Sequence, residues 1–318
     1  MSETKVLDQT MGERFALYHG DCIDVVRGLG DGSIDYSIFS PPFASLYTYS
    51  ASPRDMGNCA NHGEFFETFA FLARELVRVT APGRLVSMHC MDMPTSKTRD
   101  GYIGVADFPG ELTRVMQAAG FIFHSKVTIW KDPVTAMQRT KALGLLHKQI
   151  RKDAAMSRQG LSDYLVTFRK HGENAKPIAH DNTTMPVELW QQYASPIWAT
   201  LGEEADPDGF YRPTDEQTDD DSSGIDATDT LQYRSAREER DERHICPLQL
   251  RVIRRGIHLW TRPDDVVFSP FAGIGSEGFV AIEEGRRFIG AELKRSYYEQ
   301  AARNLASAAA GSPQLSLF

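Results

Sequence analysis

Cysteine is scarce in this chain: Cys22, Cys59, Cys90 and Cys246 are scattered over 318 residues, without a Cys-x-x-Cys pair or a histidine at metal-ligand spacing beside them. A disulfide-built scaffold and a structural zinc site are therefore excluded, and no metal is expected. No apolar run approaches the roughly 18 residues of a spanning helix, and the first residues lack the basic-then-apolar order of a secretory signal. A cytoplasmic protein without a membrane partner is expected. Basic charge is also short, with 35 Lys and Arg against 43 Asp and Glu for a net charge of −8. Taken as an average, that argues against a polyanionic partner. The deficit is local, however. Residues 203–229 hold eleven acids against the single base Arg212, and the rest of the chain carries a net charge of +2.

What is present is strand and helix in alternation. Phe15 to Tyr18 and Ile34 to Phe39 read as strands, the first running into Gly20-Asp21 and the second into Ser40-Pro41-Pro42-Phe43. Phe65, Phe69, Leu72, Leu76 and Val79 recur at helical spacing before Pro82-Gly83, and Leu85 to Met88 then reads as a strand. A helix through Leu112, Val115, Met116 and Ala119 stops at Gly120, and Phe121 to Trp130 alternates like a strand. After His244 the pattern resumes, with helices at 248–259, 276–284 and 296–305 and strands at 266–268 and 288–291. This order implies an α/β fold, a largely parallel sheet with helices on both faces. Between 131 and 170 the pattern fails, and from 171 to 240 Pro, Asp, Thr and Gly predominate with little periodicity, as in an irregular insert.

The apolar strand Val266–Phe268 enters Ser269-Pro270-Phe271-Ala272-Gly273-Ile274-Gly275 and then a helix. Glycines allow close backbone approach to a ligand, and exposed amides at a helix start favour a carboxylate or phosphate. Seventeen residues beyond Gly275, Glu292 follows the next strand, where an acid can accept from both hydroxyls of a ribose. The pattern alone would serve a nicotinamide dinucleotide or pack a tight turn. Its wording, together with Phe288-Ile289-Gly290-Ala291-Glu292, resembles the S-adenosylmethionine site of the DNA amino-methyltransferase family. The resemblance implies the cofactor S-adenosyl-L-methionine, with Phe271, Ala272, Gly273 and Gly275 around its methionine part and Glu292 on its ribose. That family usually has Asp before Pro-Phe; Ser269 stands there in this chain, which weakens the contact to the cofactor's amino group. By the same resemblance Asp21 lies near the adenine and Pro247 in the segment before the glycine loop, although Asp21 also suits a turn and Pro247 a helix start.

Ser40-Pro41-Pro42-Phe43 resembles the catalytic tetrapeptide of the same family. An exocyclic base amine is a poor nucleophile because its lone pair is delocalised into the ring. Acceptors fixed on the amine hydrogens favour a pyramidal nitrogen aimed at the methyl sulfonium. Ser40 Oγ and the Pro41 carbonyl are the candidate acceptors, Pro42 stiffens the loop, and Phe43 can stack on a base flipped from duplex DNA. Methylation of cytosine C5 would require a thiolate, usually in a Pro-Cys dipeptide, and this chain has only the reverse, Cys246-Pro247. Serine in the first position is commoner for cytosine N4 and aspartate for adenine N6, which favours cytosine. The tetrapeptide precedes the glycine loop by more than two hundred residues, the permuted order of the class called beta. The implied fold is a Rossmann-like methyltransferase with residues 1–170 and 241–307 as its catalytic and cofactor halves, a target-recognition insert at 171–240 and a tail at 308–318. RNA or protein amide methylation and noncatalytic DNA binding remain as alternatives.

From 139 to 170 the chain carries Arg139, Lys141, Lys148, Arg151, Lys152, Arg158, Arg169 and Lys170 against Asp153 and Asp163. Such a stretch is either a footprint for the DNA backbone, for which the first six are the candidates, or a solvated face. Trp130-Lys131 and residues 163–170 look like the family elements that flank target recognition. The last residues, Gln314-Leu315-Ser316-Leu317-Phe318, resemble the peptide with which bacterial repair proteins bind the replication sliding clamp. That implies Gln314, Leu315, Leu317 and Phe318 as contacts to a clamp. A restriction endonuclease partner is not legible in the sequence.

Overall fold

The computed structural model describes residues 6–42, 56–59, 62–131, 133, 137, 143–198, 225, 229–232 and 248–311. Its frame is a nine-stranded sheet in the order β1-β2-β11-β10-β3-β4-β8-β7-β9. These strands are β1 (Val6–Met11), β2 (Phe15–Gly20), β3 (Ile34–Phe39), β4 (Thr80–Met91), β7 (Phe121–Ile129), β8 (Asp163–Lys170), β9 (Ile197–Trp198), β10 (Val266–Ser269) and β11 (Arg287–Glu292). A separate ribbon pairs β5 (Met93–Pro94) with β6 (Val105–Ala106). Strands β2, β11, β10, β3 and β4 are mutually parallel. Among the described strands of this sheet, only β1 and β8 run against their neighbours.

Both faces are covered, as near-continuous apolar strands require. On one, Tyr36, Ile38 and Val267 pack under α5 (Leu250–Trp260), α6 (Ser276–Glu283) and α7 (Arg295–Ala309), through Val252, Ile257, Phe279, Ala301 and Leu305. On the other, Phe39, Val86, Met88 and Phe268 meet α1 (Cys22–Arg27), α2 (His62–Val79) and α3 (Phe108–Ala119). The five positions at helical spacing in α2, Phe65 to Val79, are all fully buried. Each contributes about 1.5–3 kcal/mol of transfer free energy. Helix α3 is delimited by chemistry visible in the sequence: Asp107 accepts from the Gly110 amide, Pro109 occupies its first turn, and Gly120 closes it at φ 114°.

Three expectations are corrected. Residues 163–170 form β8, an interior strand of the main sheet, because Leu165, Val166 and Phe168 are fully buried between β4 and β7. Within the insert read as irregular, Val187–Ala194 forms a helix, α4, and Ile197–Trp198 extends the sheet edge. Trp198 is buried and stacks against the Arg255 guanidinium of α5 at 5.0 Å. Finally, Val6–Met11, in which no strand was expected, is the edge strand β1, antiparallel to β2.

At the amino ends of the central strands, buried Arg84 of β4 bridges Asp35 of β3 at 3.0 Å and the Asp265 carboxylate just before β10. Asp35 also accepts from the Val266 amide at 2.9 Å. One guanidinium thus ties three parallel strands together at the edge away from the loops that follow them.

Candidate active site

In an open parallel sheet a ligand crevice opens at the carboxyl ends of two neighbouring strands whose connections leave in opposite directions. Here those strands are β10 and β3: β10 continues to β11 on one side and β3 to β4 on the other. Phe268 pairs with Ser37, so the loop from Ser269 and the loop from Ser40 leave the sheet side by side. Phe39, the last residue of β3, and Phe271 of the glycine loop meet in a tilted ring contact, with centroids 5.8 Å apart.

The β10 loop is held by backbone bonds and left open on one side. The Ala272 amide donates to the Ala291 carbonyl at 2.9 Å and the Gly275 amide to the Ala272 carbonyl at 2.7 Å. Gly275, at φ 89°, starts α6 and lies so close to α7 that an added Cβ would be 3.2 Å from Ala301. Gly273, at φ 53°, has nothing within 4 Å of where a Cβ would be. Glu292 closes the far wall, accepting from the Gly273 amide at 2.8 Å through one carboxylate oxygen and from the Lys294 amide at 2.8 Å through the other. The Ser269 hydroxyl is fully buried at the start of the loop and finds no hydrogen-bond partner. An open glycine cradle, a carboxylate and an unsatisfied buried hydroxyl are features that a polar nucleoside cofactor would complete. Asp21 stands at the carboxyl end of β2, next to β11 in the sheet, and its carboxylate caps α1 by accepting from Ile23 at 2.8 Å and Asp24 at 3.4 Å. The turn role is therefore occupied, at the rim of the same crevice.

Ser40 ends β3 half-buried, and Pro41 beside it is buried. The Ser40 hydroxyl is 3.0 Å from Nδ1 of His89, a histidine near the carboxyl end of β4. The other ring nitrogen, Nε2, is 2.9 Å from Oδ2 of Asp163, the first residue of β8. Lys131, just past β7, reaches the same Asp163 oxygen. Burial works to raise the Asp163 carboxyl, but the neighbouring His89 and Lys131 outweigh it and hold the group below the usual carboxylate range. Sequence reasoning missed His89. Its signal was a histidine closing an apolar strand of an α/β sheet, in register with the strand that delivers the tetrapeptide.

The remaining expected residues divide. Lys148, Arg151 and Lys152 are exposed, and Arg158 is half-buried, with burial pushing its guanidinium down. They belong to the connection from the carboxyl end of β7 to the amino end of β8, which emerges at the same sheet edge as Ser40 and Gly273. Exposed Leu143, Ile150 and Met156 are interspersed with them. Arg169 and Lys170 lie at the opposite edge because β8 runs antiparallel, and Lys170 donates to the Thr80 carbonyl at 2.7 Å at the base of β4. The eight bases therefore do not form one surface. Phe43, Arg139, Lys141, Pro247, Gln314, Leu315, Leu317 and Phe318 lie outside the described residues. Among the described residues no helix is long and apolar enough to cross a membrane.

Comparison with known proteins agrees with this geometry. The N6/N4 methyltransferase family, described as DNA methylase, matches residues 34–303. The chain belongs to that DNA methylase family. The family's name restricts the acceptor to exocyclic amines and decides for DNA over RNA or a protein amide. The chain is 22% identical over 312 residues to the type II methyltransferase M.XycI of Xanthomonas campestris pv. cyanopsidis, covering 91% of this chain and 87% of that one. A putative DNA modification methylase from Thermus thermophilus, solved in complex with S-adenosyl-L-methionine, superposes with a TM-score of 0.63 at 19% identity, over 94% of this chain and 97% of that one. The PvuII DNA methyltransferase, cytosine-N4-specific, gives 0.59 at 17% identity, over 99% and 100%. At these identities the two structures establish the shared α/β Rossmann-like fold of this DNA methylase.

Proposed function

We propose that this methylase transfers a methyl group from S-adenosyl-L-methionine to N4 of a cytosine flipped out of duplex DNA, at a specific sequence read by residues 171–240. The observation that carries the reading is the pairing of β3 with β10, which sets the Ser40 loop beside the glycine loop at the carboxyl ends of these strands. The cofactor, when bound, supplies an electrophilic methyl. Glu292 would hold its ribose, Asp21 would face its adenine, and Ser269, Phe271, Ala272, Gly273 and Gly275 would enclose its methionine part. The cradle at Gly273 and the unsatisfied Ser269 hydroxyl fit such a ligand. The Thermus relative was solved with this cofactor, which supports the choice.

Ser40 Oγ and the Pro41 carbonyl accept from the target amine and free its lone pair for attack, Pro42 limits the loop's freedom, and Phe43 stacks on the extruded base. Serine in the first place, and the printed specificity of the PvuII enzyme, favour cytosine N4 over adenine N6. Lys148, Arg151, Lys152 and Arg158, with Arg139 and Lys141, would follow the DNA backbone, where the exposed position of the first three supports contact. The order of the tetrapeptide and the glycine loop supports the beta class. Nucleoside mass spectrometry of DNA methylated by the purified protein tests the reading: N4-methyldeoxycytidine is expected, N6-methyldeoxyadenosine would reassign the base, and no modified nucleoside would overturn it. The tail resemblance supports a second partner, the bacterial sliding clamp, held by Gln314, Leu315, Leu317 and Phe318. Removing residues 314–318 should abolish clamp capture, and equal capture by both forms would refute it.

A further inference from the structure

Ser40 is not isolated in its loop. Its hydroxyl, His89 and the Asp163 carboxylate form a continuous chain across three neighbouring strands, with contacts of 3.0 and 2.9 Å. His89 and Asp163 are both buried, at 8% and 2% exposure, which shields the bond between them from water. Oδ2 of Asp163 accepts from both His89 and Lys131, while its Oδ1 is buried without a partner. A carboxylate held on Nε2 orients the imidazole ring and turns Nδ1 towards Ser40.

We infer that His89 and Asp163 are positioning residues that make Ser40 an acceptor only and remove the proton released by methylation. The inference rests on Ser40 being the residue that meets the target amine. Asp163 fixes the imidazole proton on Nε2, which leaves Nδ1 to accept the serine hydrogen. Both serine lone pairs then face the crevice, where the amine hydrogens need acceptors. The amine nitrogen forms its bond to the methyl carbon as the sulfur–methyl bond breaks and that electron pair stays on sulfur. The nitrogen then carries a surplus proton, which passes to Ser40 Oγ while the serine's own proton moves to His89 Nδ1. The imidazolium so formed is held by Asp163 until it returns its proton to water. Protonation of His89 before the reaction reverses the first bond, because the ring then donates to Ser40 and the acceptor geometry is lost. Among the described residues, the titratable and charged groups placed on His89 are Asp163 from β8 and, through that carboxylate, Lys131 from beyond β7. On its own strand the neighbouring Cys90 belongs to the opposite face, in the core with α2 and α3.

The test measures methyl transfer to duplex DNA by the full chain between pH 5.5 and 8.5, for the wild type, His89→Asn, Asp163→Asn and Ser40→Ala, with cofactor affinity by calorimetry as a fold control. Asparagine at 89 offers an acceptor where Nδ1 stood but takes no proton. We expect the wild-type kcat to fall with a single ionisation on the acid side. His89→Asn should lower kcat by about 100-fold, with KM for DNA and cofactor affinity within twofold, and should abolish that acid limb. Asp163→Asn should lower kcat and move the limb. A His89→Asn kcat within twofold of wild type, or a lowered kcat with the acid limb intact, overturns the inference. A flat wild-type profile overturns it independently, should the variants fail to bind cofactor. If Ser40→Ala is as active as wild type, the tetrapeptide reading itself fails. If Ser40→Ala is inactive and His89→Asn is active, only the relay fails.

Discussion

Replacing Gly273 and Gly275 separately by alanine distinguishes a glycine kept for its ligand from one kept for packing. Both have positive φ, 53° and 89°, so both alanines incur the left-handed penalty of about 1–2 kcal/mol. The surroundings then diverge. A methyl at 275 meets the Cβ and Cα of Ala301 at 3.2 and 3.3 Å, so α6 and α7 must move apart, and overpacking of that kind adds about 1–3 kcal/mol. A methyl at 273 meets nothing and enters the open side of the loop. Gly273→Ala should therefore lose only about 1–2 kcal/mol in urea unfolding while weakening S-adenosyl-L-methionine by at least roughly tenfold, about 1.4 kcal/mol, in calorimetry. Gly275→Ala should lose about 2–5 kcal/mol, the penalty and the overpacking together. Wild-type cofactor affinity in Gly273→Ala, or equal stability losses in the two variants, would refute the reasoning.

Other outcomes follow from features away from that loop. Arg84→Met leaves buried Asp265 and half-buried Asp35 without their cation and should cost about 3–5 kcal/mol by chemical unfolding, with kcat retained because the cluster lies at the far edge of the sheet. Burial, helped by the Glu292 charge, pushes the Glu277 carboxyl up to about 8. Between its ordinary value of 4.5 and about 8 the unfolded chain releases a proton that the folded state keeps, so stability falls as pH rises. Glu277→Gln should accordingly raise the melting temperature relative to wild type at pH 8 and much less at pH 4.5; an equal shift at both would contradict this. Lys148→Ala and Arg151→Ala should each reduce the slope of log affinity against log salt by about 0.9 for any duplex sequence, and an unchanged slope would remove these residues from the DNA surface.

Much of the sheet was legible because its strands are short apolar runs ending in loops of distinctive composition. The strand expected at 34–39 is β3 residue for residue, and the one at 266–268 differs from β10 only in adding Ser269. Strand β8 escaped periodicity because its interior is buried on both sides, so Leu165 to Phe168 show no alternation, and its basic end imitates a surface segment. Helix α4 escaped because it is only eight residues long, too short for Val187, Trp190 and Tyr193 to establish a period, and none of its residues is buried. The two loops of the crevice were recognisable as local strings, whereas the His89, Asp163 and Lys131 constellation is assembled by strand pairing alone. Nothing in the spacing of 40, 89, 131 and 163 announces that these residues meet.

The pairing of β3 with β10 also has a consequence for how the protein comes into being. Asp35 and the Val266 amide that it binds are 231 residues apart in the chain, so the centre of the sheet closes only after β10 has been synthesised. Contacts of such separation are late and slow, since the entropy of the intervening chain is lost before they form. During synthesis β3 and β4 would emerge with one edge uncovered, and the Ser40 loop would exist for some time without the loop beside it. The crevice thus depends on synthesis reaching β10, and a polypeptide truncated before that strand would carry the serine loop without the glycine loop beside it.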